Sequence, residues 1–295
     1  MKKVLFATTA LVATAGVAAA DVTFGGYGRF GIIYNDTAAG DSTDVTSRFR
    51  LQIDATAESD AGVTFGARAR IQQNNTDNAG SPAGTGINGV RFFARSGGLE
   101  VGVGNIFGAL EFMPGMYPID LGLTGLGYDY TAYNFRGDAY SSGGDGAAGA
   151  NGVEVMYSAG DLSVHVSASD DNDRIAAHVA YTFSGWTVAL GAQDSDSATD
   201  TEFAASVGGN IGPANVTLAY ADNGTDGDHI VLAGRFDVGA ATNVEVYVAD
   251  ADYGSDTGYG VDFNHDLGGG TSLRGGVAKR LNGDTRADLG VRFNF

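Results

Sequence analysis

Cysteine is absent from the 295 residues, which excludes a disulfide scaffold and leaves backbone pairing and packing to hold the fold. Proline occurs 4 times and tryptophan once. Lysine is found only as Lys2, Lys3 and Lys279. Asp and Glu number 35 against 17 Lys and Arg, a net charge of −18, which disfavours nucleic acid and anionic lipid surfaces as partners. Beyond the first 20 residues Gly, Asp or Asn interrupts every apolar stretch, so no run has the length of a membrane-spanning helix. What is abundant is glycine, with 47 residues, and together with the scarce proline this fits a sheet protein with many tight turns and no repeated helices.

The N-terminus reads as an export signal. Lys2 and Lys3 are a charged start, Val4 to Val17 is apolar or small, and Ala18-Ala19-Ala20 offers a small-residue cleavage site before Asp21. Residues 1–20 are expected to be removed, which takes the net charge from −18 to −20 and leaves Lys279 as the sole lysine.

Period-two alternation runs through the rest of the chain. At the C-terminus Ala287, Leu289, Val291, Phe293 and Phe295 fall on one parity, and Asp288, Gly290, Arg292 and Asn294 on the other. Successive strand side chains point to opposite faces, so one face is greasy and one can meet water. Similar segments lie at about 22–34, 46–58, 62–73, 87–96, 99–106, 152–158, 162–169, 174–183, 186–193, 201–210, 215–221, 229–237, 243–250, 257–266, 271–281 and 285–295. This predicts about sixteen strands without a domain break, residues 21–295 forming one unit. Short links such as Ser59-Asp60-Ala61 and Ser184-Gly185 alternate with longer polar ones, including 35–45, 74–86 and 251–256. Residues 107–150 lack sustained alternation, and a structureless connection of that length is usually functional. On a closed sheet it would narrow the interior.

The polar faces decide what kind of sheet this is. Val63, Phe65, Ala67, Ala69 and Ile71 oppose Thr64, Gly66, Arg68, Arg70 and Gln72, while Phe49, Leu51, Ile53 and Ala55 oppose Arg48, Arg50, Gln52 and Asp54. Unpaired guanidinium groups do not fill a dry core, and on a lipid face each costs ~2 to 4 kcal/mol at mid-membrane. They are expected to face a wet interior. The expected fold is therefore all-β, an antiparallel transmembrane barrel. Arg29, Arg48, Arg50, Arg68, Arg70, Arg91 and Arg95 come from the first strands and Arg274, Arg280, Arg286 and Arg292 from the last two, so closure would join them into one basic wall. Glu111, Asp120, Asp129 and Asp138 in the long connection supply the opposing charge; the alternative for each is an ordinary exposed loop acid.

Other patterns carry less. Gly26-Tyr27-Gly28-Arg29-Phe30-Gly31 matches G-x-G-x-x-G inside a strand, without the strand before and helix after that nucleotide binding requires. His165, His178, His229 and His265 are scattered, and a facing His165–His178 pair lacks a third zinc ligand. Ser163 and Ser167 beside His165 leave a barrel lipase as a minor alternative. The acidic connections at 170–173, 194–200 and 222–228 lack regular calcium-loop spacing, so calcium there is an open expectation and no metal ligand is assigned.

Asp21-Val22-Thr23-Phe24-Gly25-Gly26-Tyr27-Gly28-Arg29-Phe30-Gly31, Asp60-Ala61-Gly62-Val63-Thr64-Phe65-Gly66-Ala67, Tyr181-Thr182-Phe183, and the end from Asp266-Leu267-Gly268-Gly269-Gly270 through Phe295 carry a family resemblance. The chain resembles the trimeric general-diffusion porins of Gram-negative outer membranes, especially the branch of purple photosynthetic bacteria. That resemblance implies a sixteen-stranded barrel, a homotrimer, and a third external loop folded into the pore opposite clustered arginines. Residues 107–150 would be that constriction loop, with Glu111-Phe112-Met113-Pro114-Gly115 in place of its acidic tip. It also implies that the terminal Phe295 is read by the barrel-assembly machinery.

The expectation is a cofactor-free outer-membrane diffusion channel for small hydrophilic solutes and ions, in contact with lipid and lipopolysaccharide and without enzymatic activity. Arg29, Arg48, Arg50, Arg68, Arg70, Arg91 and Arg95 would face Glu111, Asp120 and Asp129 across its constriction. A substrate-selective channel, for which Tyr117, Tyr128, Tyr130 and Tyr133 are candidates, and a soluble exported β-protein are the alternatives.

Overall fold

A computed structural model describes residues 20–75, 86–142 and 149–295. The export signal and most of the 74–86 connection lie outside the described residues. In chain order the strands are β1 (Ala20–Thr37), β2 (Gly40–Glu58), β3 (Thr64–Asn74), β4 (Gly86–Ile87), β5 (Arg91–Ser96), β6 (Leu99–Asn105), β7 (Asn151–Ala159) and β8 (Leu162–Ser169). Then follow β9 (Ile175–Phe183), β10 (Trp186–Asp194), β11 (Glu202–Ile211), β12 (Ala214–Asp222), β13 (Asp228–Asp237), β14 (Thr242–Ala251), β15 (Gly258–Gly268), β16 (Thr271–Lys279) and β17 (Thr285–Asn294).

Neighbours in sequence pair antiparallel, and β17 pairs with β1 from Tyr27↔Asn294 to Asp36↔Thr285, which closes the sheet into a barrel. Mutual backbone hydrogen bonds between Gly26 and Phe295 finish that seam. Both β4 and β5 pair with β3, so they form one stave broken at residues 88–90 and the barrel has sixteen staves. Asn88 fills the break by accepting the Arg70 N–H at 2.6 Å on its side chain while its own N–H reaches the Arg70 carbonyl at 2.9 Å. On the neighbouring stave Gly104 has φ +91°, and a Cβ there would run into the Val90 carbonyl.

The alternation predicted for each strand is present with the greasy face outward. On β9 Ile175 and Phe183 are 61% and 71% exposed while Ala176 and Ala180, on the opposite parity, are each 3% exposed. Large apolar residues outside and small or polar ones inside invert the arrangement of a water-soluble sheet protein. A barrel wall against lipid requires that inversion.

One connection differs from the sequence expectation. Residues 35–45 are not a loop: β1 and β2 continue their register through Asn35↔Ser42 and Asp36↔Asp41 to Thr37↔Gly40, leaving a two-residue turn at Ala38-Ala39. The polar outward residues hid the strand, since a hairpin standing clear of lipid keeps its ladder without needing an apolar face.

The interior is occupied by the chain between β6 and β7. Its Leu110, Met113, Met116, Leu121, Leu126, Tyr130 and Tyr133 are buried against inward-facing Ala176, Ala189, Ala204, Ala219, Val231 and Tyr247 of the wall. Small wall residues make room for the loop; this is where the buried apolar core lies.

Candidate functional site

The inner face of β1 to β3 is an ordered array of guanidinium groups. In the β2–β3 register Arg48 faces Asn74, Arg50 faces Gln72, Gln52 faces Arg70 and Asp54 faces Arg68. Each arginine donates its Nε to the acceptor directly opposite, at 2.6, 2.5, 2.8 and 2.6 Å. An uncharged or acidic acceptor beside every arginine keeps neighbouring guanidinium groups extended and spaced despite their like charge. Tyr27 on β1 receives a hydrogen bond from Arg48 at 3.2 Å, and its ring lies 5.1 Å from Arg50 and 4.3 Å from Arg292. Arg29 donates to the Leu123 carbonyl of the loop.

The loop is fastened by inward-facing carboxylates of β14, β15 and β17, the strands that lead up to the β17–β1 seam. Asp288 on β17 accepts the N–H groups of Leu123 and Thr124 at 3.0 and 2.8 Å and the Thr124 hydroxyl at 2.7 Å. Asp262 on β15 accepts the Gly122 N–H at 2.5 Å, and Glu245 on β14 the Asp120 N–H at 2.9 Å. Gly31 and Gly290 face each other across the seam, and a Cβ on either would collide with Leu123. The last glycine of the G-x-G-x-x-G stretch is thus part of a slot for the loop.

Among the predicted site residues, Arg50, Arg70 and Glu111 line one recess of about 440 Å³, together with Phe112, Tyr117, Tyr128, Phe135 and Tyr140. Glu111 accepts a hydrogen bond from the Tyr117 hydroxyl, and burial raises its carboxyl above the ordinary range. Burial and the neighbouring Glu111 also raise the Tyr117 phenol, so it stays protonated and donates.

The other predicted residues have different partners. Arg68 is paired with Asp54 through two contacts of 2.6 and 3.3 Å. Arg91 is buried, bound to Glu154 at 2.5 Å and Glu100 at 2.7 Å, with Phe107 against its face at 4.0 Å. Glu154 also accepts the Phe107 N–H at 2.9 Å and meets His165 at 2.9 Å, so this cluster secures the start of the loop. Arg95 lies beside Phe93 near the tight β5–β6 turn. Asp120 joins Arg274 and Arg292 at 2.6 and 3.0 Å, and Asp129 joins Arg280 at 3.2 Å and the Leu281 N–H at 3.0 Å. These two acids therefore meet arginines of β16, β17 and the segment between them, not those of the first strands. Phe295 stacks on Phe49 with ring centres 5.7 Å apart.

Sequence reasoning did not single out Glu154, Glu245, Asp262 or Asp288. The available signal was their inward parity: an acid on the interior face of a barrel strand has water or the loop as its neighbour. His165 and His178 do face one another, 5.5 Å between rings, but His165 meets Glu154 and His178 reaches the Ala109 carbonyl at 2.6 Å. Ser167 receives the Ala109 N–H at 2.9 Å, so it too holds the loop. Among the described residues no group of three side chains is placed to hold a metal ion.

A barrel of this form, with greasy exterior, charged interior and an inward loop, can be compared with known proteins. The family model for Gram-negative porins matches residues 7–285. The chain belongs to that family. The porin of Fuscovulum blasticum is 33% identical over 305 residues, covering 93% of this chain and all of the relative. The porin of Rhodobacter capsulatus is 31% identical over 323 residues with the same coverage. Among solved structures, a mutant of the Rh. blastica porin matches with a TM-score of 0.82 and 29% identity over 93% of this chain and all of that one. A triple mutant of the Rhodopseudomonas blastica porin gives 0.81 and 29% over the same shares. This porin is thus an outer-membrane channel rather than an enzyme, and both bacterial relatives are purple photosynthetic species as the sequence resemblance implied.

Proposed function

We propose that this porin is a passive, water-filled diffusion channel for small hydrophilic solutes and ions, narrowed where the arginine ladder of β2 and β3 faces the loop. The single observation that carries the reading is the shared recess lined by Arg50 and Arg70 from the wall and Glu111 from the loop. Opposite charges on two sides of a gap create a transverse field. At physiological salt the screening length is ~8 Å, comparable with the width of a passage for small solutes, so bulk salt leaves part of that field in place. Arginine suits the wall because it remains charged when crowded beside other arginines, where lysine tends to lose its proton. The excess of acid over base elsewhere favours a mild cation preference.

Residues 1–20 are the proposed export signal, the proposed assembly is a homotrimer in contact with lipid and lipopolysaccharide, and Phe295 is the proposed signal to the assembly machinery. The channel needs no cofactor. Calcium at the acid-rich external connections is a separate proposal, removed if chelator and added calcium leave trimer melting unchanged. Single-channel recording in a planar bilayer tests the main reading. An ohmic step on the nanosiemens scale is expected, and protein recovered as a folded, non-conducting soluble monomer would overturn it.

A further inference from the structure

The recess at the arginine ladder exposes more ring surface than a path for hydrated ions requires. Phe112, Tyr117 and Phe135 are 49%, 40% and 45% exposed although they lie inside the barrel. Tyr117, Tyr128 and Phe135 form a mutually packed trio, with ring centres 5.8 to 6.4 Å apart. Tyr128 and Phe135 are also held at φ +62° and +63°, a left-handed backbone that bulky residues seldom adopt. Backbone cost of this kind concentrates where a protein presents a side chain to a ligand.

The facing guanidinium groups are only partly engaged. Arg50 rests on the Tyr27 ring at 5.1 Å and uses Nε on Gln72. Arg70 rests on Tyr140 at 4.7 Å and uses Nε on Gln52 and Nη1 on Ser142. Arg68 and Arg91 each have carboxylate partners, whereas among the described residues Arg50 and Arg70 have none. Among the described residues both terminal nitrogens of Arg50 and Nη2 of Arg70 have no hydrogen-bond partner and can meet an incoming acceptor. Stacking on tyrosine fixes the plane of each guanidinium, so little ordering is lost when a planar carboxylate arrives.

We propose that the constriction contains a binding subsite for small planar aromatic carboxylates, whose carboxylate takes hydrogen bonds from Arg50 and Arg70 while the ring lies against Phe112, Tyr117 and Phe135. The proposal rests on the diffusion-channel reading and deepens it by naming a solute class. Neither half of the ligand suffices, because a lone carboxylate gains only contacts available at any arginine and a lone ring gains only apolar area. Glu111, the carboxylate in the same lining, already has the Tyr117 hydroxyl as its hydrogen-bond partner, so it leaves the Arg50 and Arg70 guanidinium groups to the solute.

Full-length porin in a planar bilayer at about 0.1 M KCl, where the screening length is ~10 Å, provides the test. Benzoate is the probe, with acetate as the carboxylate without a ring and benzyl alcohol as the ring without charge. Benzoate at a concentration on the order of 1 to 10 mM, the range expected of so small a ligand, should lengthen current interruptions in proportion to its concentration. Acetate and benzyl alcohol should not. The R50Q/R70Q pair should raise the half-blocking concentration about tenfold or more through lost charged hydrogen bonds. Phe112→Ala with Phe135→Ala should raise it several-fold. If that pair fails to assemble, Phe112→Leu keeps bulk at an exposed position and removes the ring. Equal block by benzoate and acetate, or a benzoate block unaltered by removal of the rings, would overturn the subsite. An ohmic KCl current without any benzoate effect refutes the subsite alone, whereas absence of ohmic current in KCl refutes the channel and the subsite with it.

Discussion

Replacing Asp288 by alanine should release the middle of the constriction loop while leaving the barrel closed. The carboxylate accepts three hydrogen bonds, from the Leu123 and Thr124 N–H groups and the Thr124 hydroxyl; Asp288 and Leu123 are buried and Thr124 is half-buried. Hydrogen bonds to a charged group contribute ~1.5 to 3 kcal/mol each, and they do not add fully when they share one acceptor. Removing that acceptor also strands two backbone donors. A local loss of roughly 3 to 5 kcal/mol is therefore expected, a hundredfold or greater rise in the population of the detached loop. Asp288→Asn keeps one acceptor oxygen and should cost about half as much. The register of β16 and β17 does not depend on this side chain, so the heat resistance of the assembled barrel should change little. Hydrogen exchange of the Leu123 and Thr124 amides measures the release directly, and single-channel recordings should show added open-channel noise. Unchanged amide protection and noise in Asp288→Ala would refute the anchoring role.

Three further outcomes follow from the same geometry. Leu51→Arg, on the greasy face of β2, should destabilise the barrel by ~2 to 4 kcal/mol if the residue lies near mid-membrane, measured by reversible unfolding in lipid; a neutral result would mean the faces are inverted. Deleting Phe295 removes the stack on Phe49 and the two backbone hydrogen bonds to Gly26, and barrel yield in cells should fall more than yield on refolding in vitro; equal losses would argue against an assembly signal. Because burial raises the Glu111 carboxyl, Glu111 should lose its charge at a higher pH than ordinary glutamates, so cation preference should begin to decline as pH is lowered from 7 through the weakly acidic range. Reversal potentials should show that early component in the wild type and not in Glu111→Gln; coincident pH profiles would contradict it.

Much of this barrel was legible because lipid imposes a simple rule on each strand: the outward parity must be apolar whatever the sequence does inside. That rule located the ladder of Arg48, Arg50, Arg68 and Arg70 on the inner face, while the acceptor opposite each arginine emerged only from the β2–β3 register. It failed for the β1–β2 hairpin, since strand above the membrane is freed from the rule. It was also silent on which acid meets which arginine. Asp120 and Asp129 are committed to Arg274, Arg292 and Arg280 by the path of the loop, and Arg91 is committed to Glu154 by burial beneath Phe107. Pairings of that kind depend on how an irregular chain without periodicity crosses the lumen, and strand alternation carries no information about it. The inward acids Asp262 and Asp288 were legible in parity, but their service to loop N–H groups required the loop in place.

The measurement that most directly tests the opposed charges at the constriction is the zero-current potential across a salt gradient, compared between the wild type and a variant with Arg48, Arg50, Arg68 and Arg70 all replaced by glutamine. At low salt the variant should shift clearly toward cation selectivity and conduct more, and the shift should shrink near 1 M salt, where the screening length falls to ~3 Å. Identical potentials for the two proteins at low salt would contradict the placement of that arginine ladder at the narrowest part of the pore.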